Sequence, residues 1–204
     1  MSDEGSYYDI DVTEFQHPIQ AEGFEKNYEE DLVVSVDDAD ELIHFILASN
    51  PQTNRVRLEI SKEADIYWVG QFEISQEEFP EFAKTQPIKK VKYESFVPNL
   101  VKVLENVRTN RSAFSAVLTV EDDSFVLTFR QQLEFKRVEI YRITLNYLSN
   151  DFPYTQDQAQ FRYSLKLAQY EDAVQRLNDL FDHVESKNPQ LCAQLRKGSK
   201  FVQK

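Results

Sequence analysis

Apolar and polar positions alternate along most of the chain between Leu32 and Tyr147. In "DLVVSV", Leu32, Val34 and Val36 share one face, the two-residue period of a half-buried strand. "ELIHFILAS" has no clean period and reads as a buried strand or a short helix. The turn-like "DDAD" before it favours a hairpin. "RVRLEIS" alternates again, with Val56, Leu58 and Ile60 inward and Arg57 and Glu59 outward. "DIYWVGQFEI" predicts a further strand, with Trp68 in the core and Gly70 marking a bulge or a close-approach point.

The period then lengthens. In "SQEEFPEFAKTQ", Ser75 and Glu78 form a capping box, and Phe79 and Phe82 share a face behind it. Pro80 removes a donor near the helix start, so this helix should be short or distorted. "YESFVPNLVKVLENV" predicts a second helix on Phe96, Leu100, Val103, Leu104 and Val107, which follow the 3.6-residue spacing. Pro98 is placed in its first turn, where a missing N–H costs little. The helical hairpin is expected over 75–107.

Strands return in "AFSAVLTV" and "SFVLTFR", joined by Glu121, Asp122 and Asp123 as a tight hairpin. "QQLEFKRVEIYRITLNYL" follows. Its alternation changes phase: Val138 and Ile140 share one parity, and Tyr141, Ile143, Leu145 and Tyr147 the other. One extra residue, a β-bulge, does that. At the start of this stretch Phe135 stands between Glu134 and Lys136. It either continues the parity of Phe125, Leu127 and Phe129 into its own core or projects outward.

After "NDFPYT", a long helix is expected over 157–187. Tyr163, Leu167, Tyr170, Val174, Leu177, Phe181 and Val184 are spaced 4, 3, 4, 3, 4, 3. That is a heptad seam, with Leu167, Val174 and Phe181 at the a positions. The seam either pairs with a second copy or faces inward against the rest of the chain. Asn188-Pro189 stops the helix. Strands, two helices and strands again define an α+β class: a small antiparallel β-sandwich or barrel carrying a helix-turn-helix, followed by a C-terminal helix forming a short coiled coil. The expected division is an acidic disordered tail (1–27), a head domain (28–150), the helix (157–187) and a flexible tail (188–204).

Charge explains why the first segment is set apart. The net charge is -12, and between Ser2 and Asp31 ten acidic residues face one base, Lys26. Such a run is ordinarily a solvated tail. The acidic balance disfavours direct nucleic-acid binding, which relies on Lys and Arg displacing counterions from phosphates. No apolar run approaches the ~20 residues of a membrane span, so no membrane insertion is expected. One Cys among 204 residues excludes an internal disulfide framework and fits a reducing compartment.

Little chemistry is on offer. His17, His44 and His183 have no neighbours at ligand spacing, so no metal is expected. Four glycines in all leave no phosphate-cradling loop, and no nucleophile or kinase-type motif occurs. Glu77-Glu78 and Asp122-Asp123 read as capping and turn carboxylates. The chain reads as a non-enzyme without a cofactor.

Four stretches together resemble the head domain of the centriolar cartwheel hub protein family (spindle assembly abnormal protein six). They are "VRLEISKEADIYWVGQFEISQEEFPEF", "VKYESFVPNLVKVLENV", "SFVLTFRQQLEFK" and "RVEIYRITLNYL", in that order, over roughly 31–148. Leu133 stands where the family has Asn, and Pro98 lies one place later than the family's proline. The long coiled-coil tail of the family is missing before Lys204, as in its shorter "six-like" members. A wider superfamily includes end-joining repair scaffolds of the X-ray cross-complementing type, with the same sandwich, inserted helical hairpin and departing helix.

The resemblance implies a self-assembling structural scaffold of the centriole, basal body or a related cytoplasmic or apical cytoskeletal structure. Phe135, flanked by Leu133 and Lys136, falls where the family projects an aromatic side chain into an apolar cavity of a second head. The implied partners are copies of itself, through head and helix, and cytoskeletal proteins. The alternative is an adaptor of the end-joining type that binds protein partners.

Overall fold

The computed structural model describes residues 16–89, 91–121, 124–149 and 152–198. Strand β1 (Glu25–Val36) turns into β2 (Ala39–Asn50) through Asp37 and Asp38, whose φ angles are 47° and 67°. Two left-handed residues in a two-residue turn match the twist of the strands they join. "ELIHFILAS" is therefore a strand. Its lack of period follows from Phe45, Ile46, Leu47 and Ala48 all being buried, so both of its faces are covered.

β3 (Arg55–Ser61) and β4 (Val69–Ser75) complete a four-stranded meander, and β5 (Phe114–Glu121), β6 (Ser124–Gln132) and β7 (Arg137–Tyr147) form a second. The turn residues 122 and 123, and the acidic segment before residue 16, lie outside the described residues. Hydrogen-bonded neighbours run β1-β2-β3-β4-β7-β6-β5. β1 also meets β5 in parallel through Ser35–Val117 and Val36–Leu118, and β4 meets β7 only through Gly70–Tyr147 and Gln71–Asn146. The fold is a mixed α and β arrangement on a seven-stranded, almost wholly antiparallel sheet. Gly70 keeps its pairing register, and a Cβ there would stand 2.6 Å from the Phe125 ring. It is a close approach and not a bulge.

Between the meanders lie α2 (Phe79–Thr85) and α3 (Tyr93–Thr109), a pair that starts four residues later and ends two residues later than the expected 75–107. The Ser75 and Glu78 box bonds form, with the Ser75 N–H donating to Glu78 at 3.0 Å and the Glu78 N–H donating to the Ser75 hydroxyl at 3.3 Å. They close the turn before α2. α2 has seven residues, as Pro80 demands. Pro98 lies in the second turn of α3, not its first, because the helix begins at Tyr93. It is tolerated there because Pro98, and Glu94 whose carbonyl loses its donor, are both exposed. The core beneath these helices is aromatic. Phe96 lies 5.2 Å from Phe79, 5.5 Å from Phe82 and 5.7 Å from Tyr141 between ring centroids.

Three expectations are corrected at the ends of the chain. Residues 16–27, expected in the acidic tail, carry α1 (Pro18–Ala21) and the start of β1. Ile19 and Phe24 join Ile46 and Ala48 in a second apolar cluster. The long helix α4 (Pro153–Lys187) begins four residues earlier than 157, with Pro153 at its first position. Residues 189–198 of the expected flexible tail form α5 (Pro189–Gly198). The described chain forms two compact units. One spans residues 16–161, and the other holds the chain from residue 162 onward.

Candidate functional site

The β6–β7 connection ends in a tight tip. The Leu133 N–H donates to the Lys136 carbonyl at 2.8 Å, leaving Glu134 and Phe135 at its apex. β6 stops at Gln132, so the parity that buries Phe125, Leu127 and Phe129 does not reach the tip. Phe135 is 90% exposed, Leu133 is 39% exposed, and Lys136 is also at the surface. The self-buried reading of Phe135 is overturned. A ring so exposed contributes almost nothing to its own core and offers its full apolar area to a partner.

The same unit contains a hollow of about 300 Å³ between α3, the segment carrying Ile88, Lys89 and Val91, and β7. Ile88, Val91, Val103 and Ile140 give it apolar walls, and Lys89, Ser95, Asn99 and Lys102 line it beside them. The expected bulge builds one wall. The β6–β7 register slips between Phe129 and Arg130, so Ile140 is the extra residue and both Ile140 and Tyr141 turn inward.

Gln86 fixes the other wall. Its amide accepts from the Arg142 N–H and donates to the Arg142 carbonyl, both at 3.0 Å, as a strand neighbour would. Gln86 is 1% exposed. Sequence pattern does not reveal this role, because a lone Gln between a helix end and a proline looks like loop.

Arg57 and Glu59, placed outward by their parity, do point away from Leu58 and Ile60 but are 7% and 1% exposed. The outer face of β3 is roofed by α1 and the first turns of α4. The Tyr154 hydroxyl donates to Glu59 at 2.5 Å, and Gln158 donates to its other oxygen. His17 Nε2 lies 4.0 Å away, and its ring meets Phe161 edge-on. Arg57 spans Glu22 and Glu73 and lies 4.2 Å from the Phe24 ring centroid. This cluster ties the first turns of the long helix to the sheet. The only hints in the sequence were Ile19 and Phe24 within an acidic stretch.

Burial pushes the Glu59 carboxyl above the usual carboxylate range, against the opposing pull of Tyr154, Gln158, Arg57 and His44. A carboxyl raised in the folded state binds its proton more tightly folded than unfolded. Stability therefore falls as pH rises from the ordinary value of about 4.3 through the raised one. Glu59→Gln keeps the shape and removes the ionisation. Relative to wild type, the variant should gain in melting temperature as pH rises from acid to neutral. Parallel melting curves across that range would refute this account.

On α4, Tyr163, Leu167 and Tyr170 are 60%, 44% and 58% exposed, and Val174, Leu177 and Val184 are partly exposed. Phe181 differs at 7%, covered by α5. Among the described residues no group of His, Cys, Asp or Glu is arranged to hold a metal. No helix among them is long and apolar enough to cross a membrane.

The described residues thus combine a pair of β-meanders, an inserted helix pair, an exposed aromatic tip and a long helix following the sheet in sequence. The centriolar protein SAS N-terminal domain family matches residues 15–145. The chain belongs to the SAS-6 N-terminal domain family. This family is structural and non-catalytic, acts by self-oligomerisation, and works in the cytoplasm at the centriole and basal body. The end-joining reading draws no support from the matches.

Solved SAS-6 structures share the fold at low identity. A Leishmania SAS-6 N-terminal fragment containing parts of its coiled coil, a point variant, is 15% identical, with a TM-score of 0.63 over 83% of this chain and 99% of that one. An N-terminal coiled-coil dimer of C. elegans SAS-6 is 13% identical, with a TM-score of 0.58 over 74% and 97%. A Drosophila melanogaster Sas-6 fragment, dimerised via its coiled-coil domain, is 11% identical, with a TM-score of 0.54 over 86% and 94%. Among curated proteins, none matches the chain in sequence.

Proposed function

We propose that this chain builds a SAS-6-type scaffold through two contacts between copies: Phe135 of one head seated in the α3–β7 hollow of another, and α4 paired with a second α4. The sheet with its helix pair serves as the head and α4 as the stalk. The head works as a small rolled sandwich or barrel whose two narrow seams close the ring of strands. The observation that carries the reading is an aromatic ring 90% exposed at a hairpin tip on a head that also bears an apolar hollow. Charge agrees with it. Glu134 beside the ring suits the Lys89 and Lys102 border.

Seating one Phe yields roughly 1.5–3 kcal/mol. Association costs at least about 4 kcal/mol in lost freedom. Two hooks in a two-fold head pair therefore give a weak contact. A head pair and a parallel helix pair are two different two-fold contacts, and their alternation generates a closed ring or an open chain. Multivalency then holds the closed object far more firmly than either contact alone. The place of action is the centriole or basal-body cytoskeleton, with other cytoskeletal proteins as further partners.

The receiving side supplies the test. Ser95→Trp fills the hollow from a half-buried position without touching Phe135 or the core. Sedimentation over a wide concentration range should show head-to-head association lost in this variant. Association equal to wild type would rule out this hollow as the receptor.

A further inference from the structure

We infer that α5 is a built-in competitor of stalk pairing: docked on α4 it shields Phe181, and a second copy gains the C-terminal end of the seam only when α5 leaves. The inference rests on the reading that α4 pairs with itself, and it adds how that pairing is held in check.

The seam is not uniform. Its 4, 3 spacing continues through Phe181 to Val184, yet exposure does not. Leu167, at the first a position, is 44% exposed, and Phe181, at the third, is 7% exposed. At Phe181 the chain meets α5. Asn188 breaks the helix, Pro189 starts the next one, and the Asn188 side chain caps it by accepting from the Leu191 N–H at 3.1 Å.

The chain doubles back from there. The Cys192 thiol, 2% exposed, lies 3.6 Å from the Phe181 carbonyl oxygen. The Arg196 guanidinium stands 5.7 Å from the Phe181 ring centroid and pairs with Glu185 at 3.1 Å and Asp182 at 3.7 Å. Cys192 and Arg196 are four apart and share a face of α5. The larger apolar residues of α5, Leu191 and Leu195, are 43% and 46% exposed.

Such a clasp is weak by composition. One small thiol and partly exposed ion pairs hold it, and pairs of that kind contribute little. It covers a large aromatic ring at a position where a parallel partner would present its own Phe181. A second copy of α4 is therefore the occupant that fits, and it displaces α5 by competing for the same ring. Occupation by one excludes the other, so the equilibrium between docked and undocked α5 sets the apparent pairing affinity.

Cys192 is the single cysteine of the chain and reports on the clasp without added probes. In full-length Phe135→Glu protein, where pairing through the head is removed, a maleimide should label Cys192 slowly at low concentration. Labelling should be several-fold faster at concentrations where sedimentation shows pairs. Arg196→Glu, which places a carboxylate against Glu185 and Asp182, should pair roughly two- to fivefold more tightly, the range of a lost exposed ion pair, and should label faster at every concentration. Pairs that form with no change in labelling, or Arg196→Glu pairing no tighter than its parent, would overturn the inference and leave stalk pairing standing. A chain that stays monomeric throughout would remove both.

Discussion

Phe135→Glu is expected to leave the head folded and to abolish head-to-head association. The ring is 90% exposed and makes none of the aromatic contacts of the core, so thermal stability should change by less than the ~0.5 kcal/mol typical of surface sites. Association should respond strongly. Removing the apolar transfer of one Phe is worth roughly 1.5–3 kcal/mol, about 10- to 150-fold, and a carboxylate beside Glu134 adds the cost of taking charge out of water. In the proposed two-fold head contact, each substitution acts twice per pair. Sedimentation equilibrium and melting curves on the same protein decide the matter. A variant that melts like wild type yet still associates through its heads would end the hook reading.

Phe96→Ala carries the largest expected loss of stability. Phe96 is fully buried and stacks between α2, β7 and its own helix, within 6 Å of three aromatic ring centroids. Aromatic-to-alanine changes in such cores cost about 3–5 kcal/mol, because the space left behind fills only partly. For a chain of this size that is a fall of roughly 6–20 °C in melting temperature. Tyr141 leans on Phe96 and helps line the hollow, so association should weaken in step with the melt. A shift of only a degree or two would mean the aromatic cluster is redundant around Phe96.

The elements that were legible in the sequence are those whose signal is local. Alternation gave the second half of β1 and β3, β5, β6 and β7, the Asp-rich turn gave the first hairpin, and the phase slip located the bulge next to Tyr141. The bulge in turn shapes the hollow. What escaped was decided by contacts distant in sequence. Arg57 and Glu59 obey the alternation that made them look solvent-facing, but α1 and the first turns of α4 cover that face. No periodic pattern in a four-residue helix or an acidic stretch announces such a roof. α5 was hidden by Asn188-Pro189, which does end a helix, but the chain begins another at once. Gln86 gave no signal at all, since its role exists only once β7 lies beside it.

That Gln86 contact bears on how such a protein can crowd safely. β7 pairs with β6 along its length and with β4 only near Tyr147, so its outer backbone around Arg142 has no strand beside it. A bare row of amides in a protein concentrated by its own polymerisation is a template on which strands from other copies could stack without limit. The side-chain amide occupies that N–H and that carbonyl, and the edge is blunted where it would otherwise be open. In the proposed assembly, copies are left to meet through shaped side-chain surfaces that saturate, and growth follows the geometry of those surfaces instead of running into cross-β aggregation.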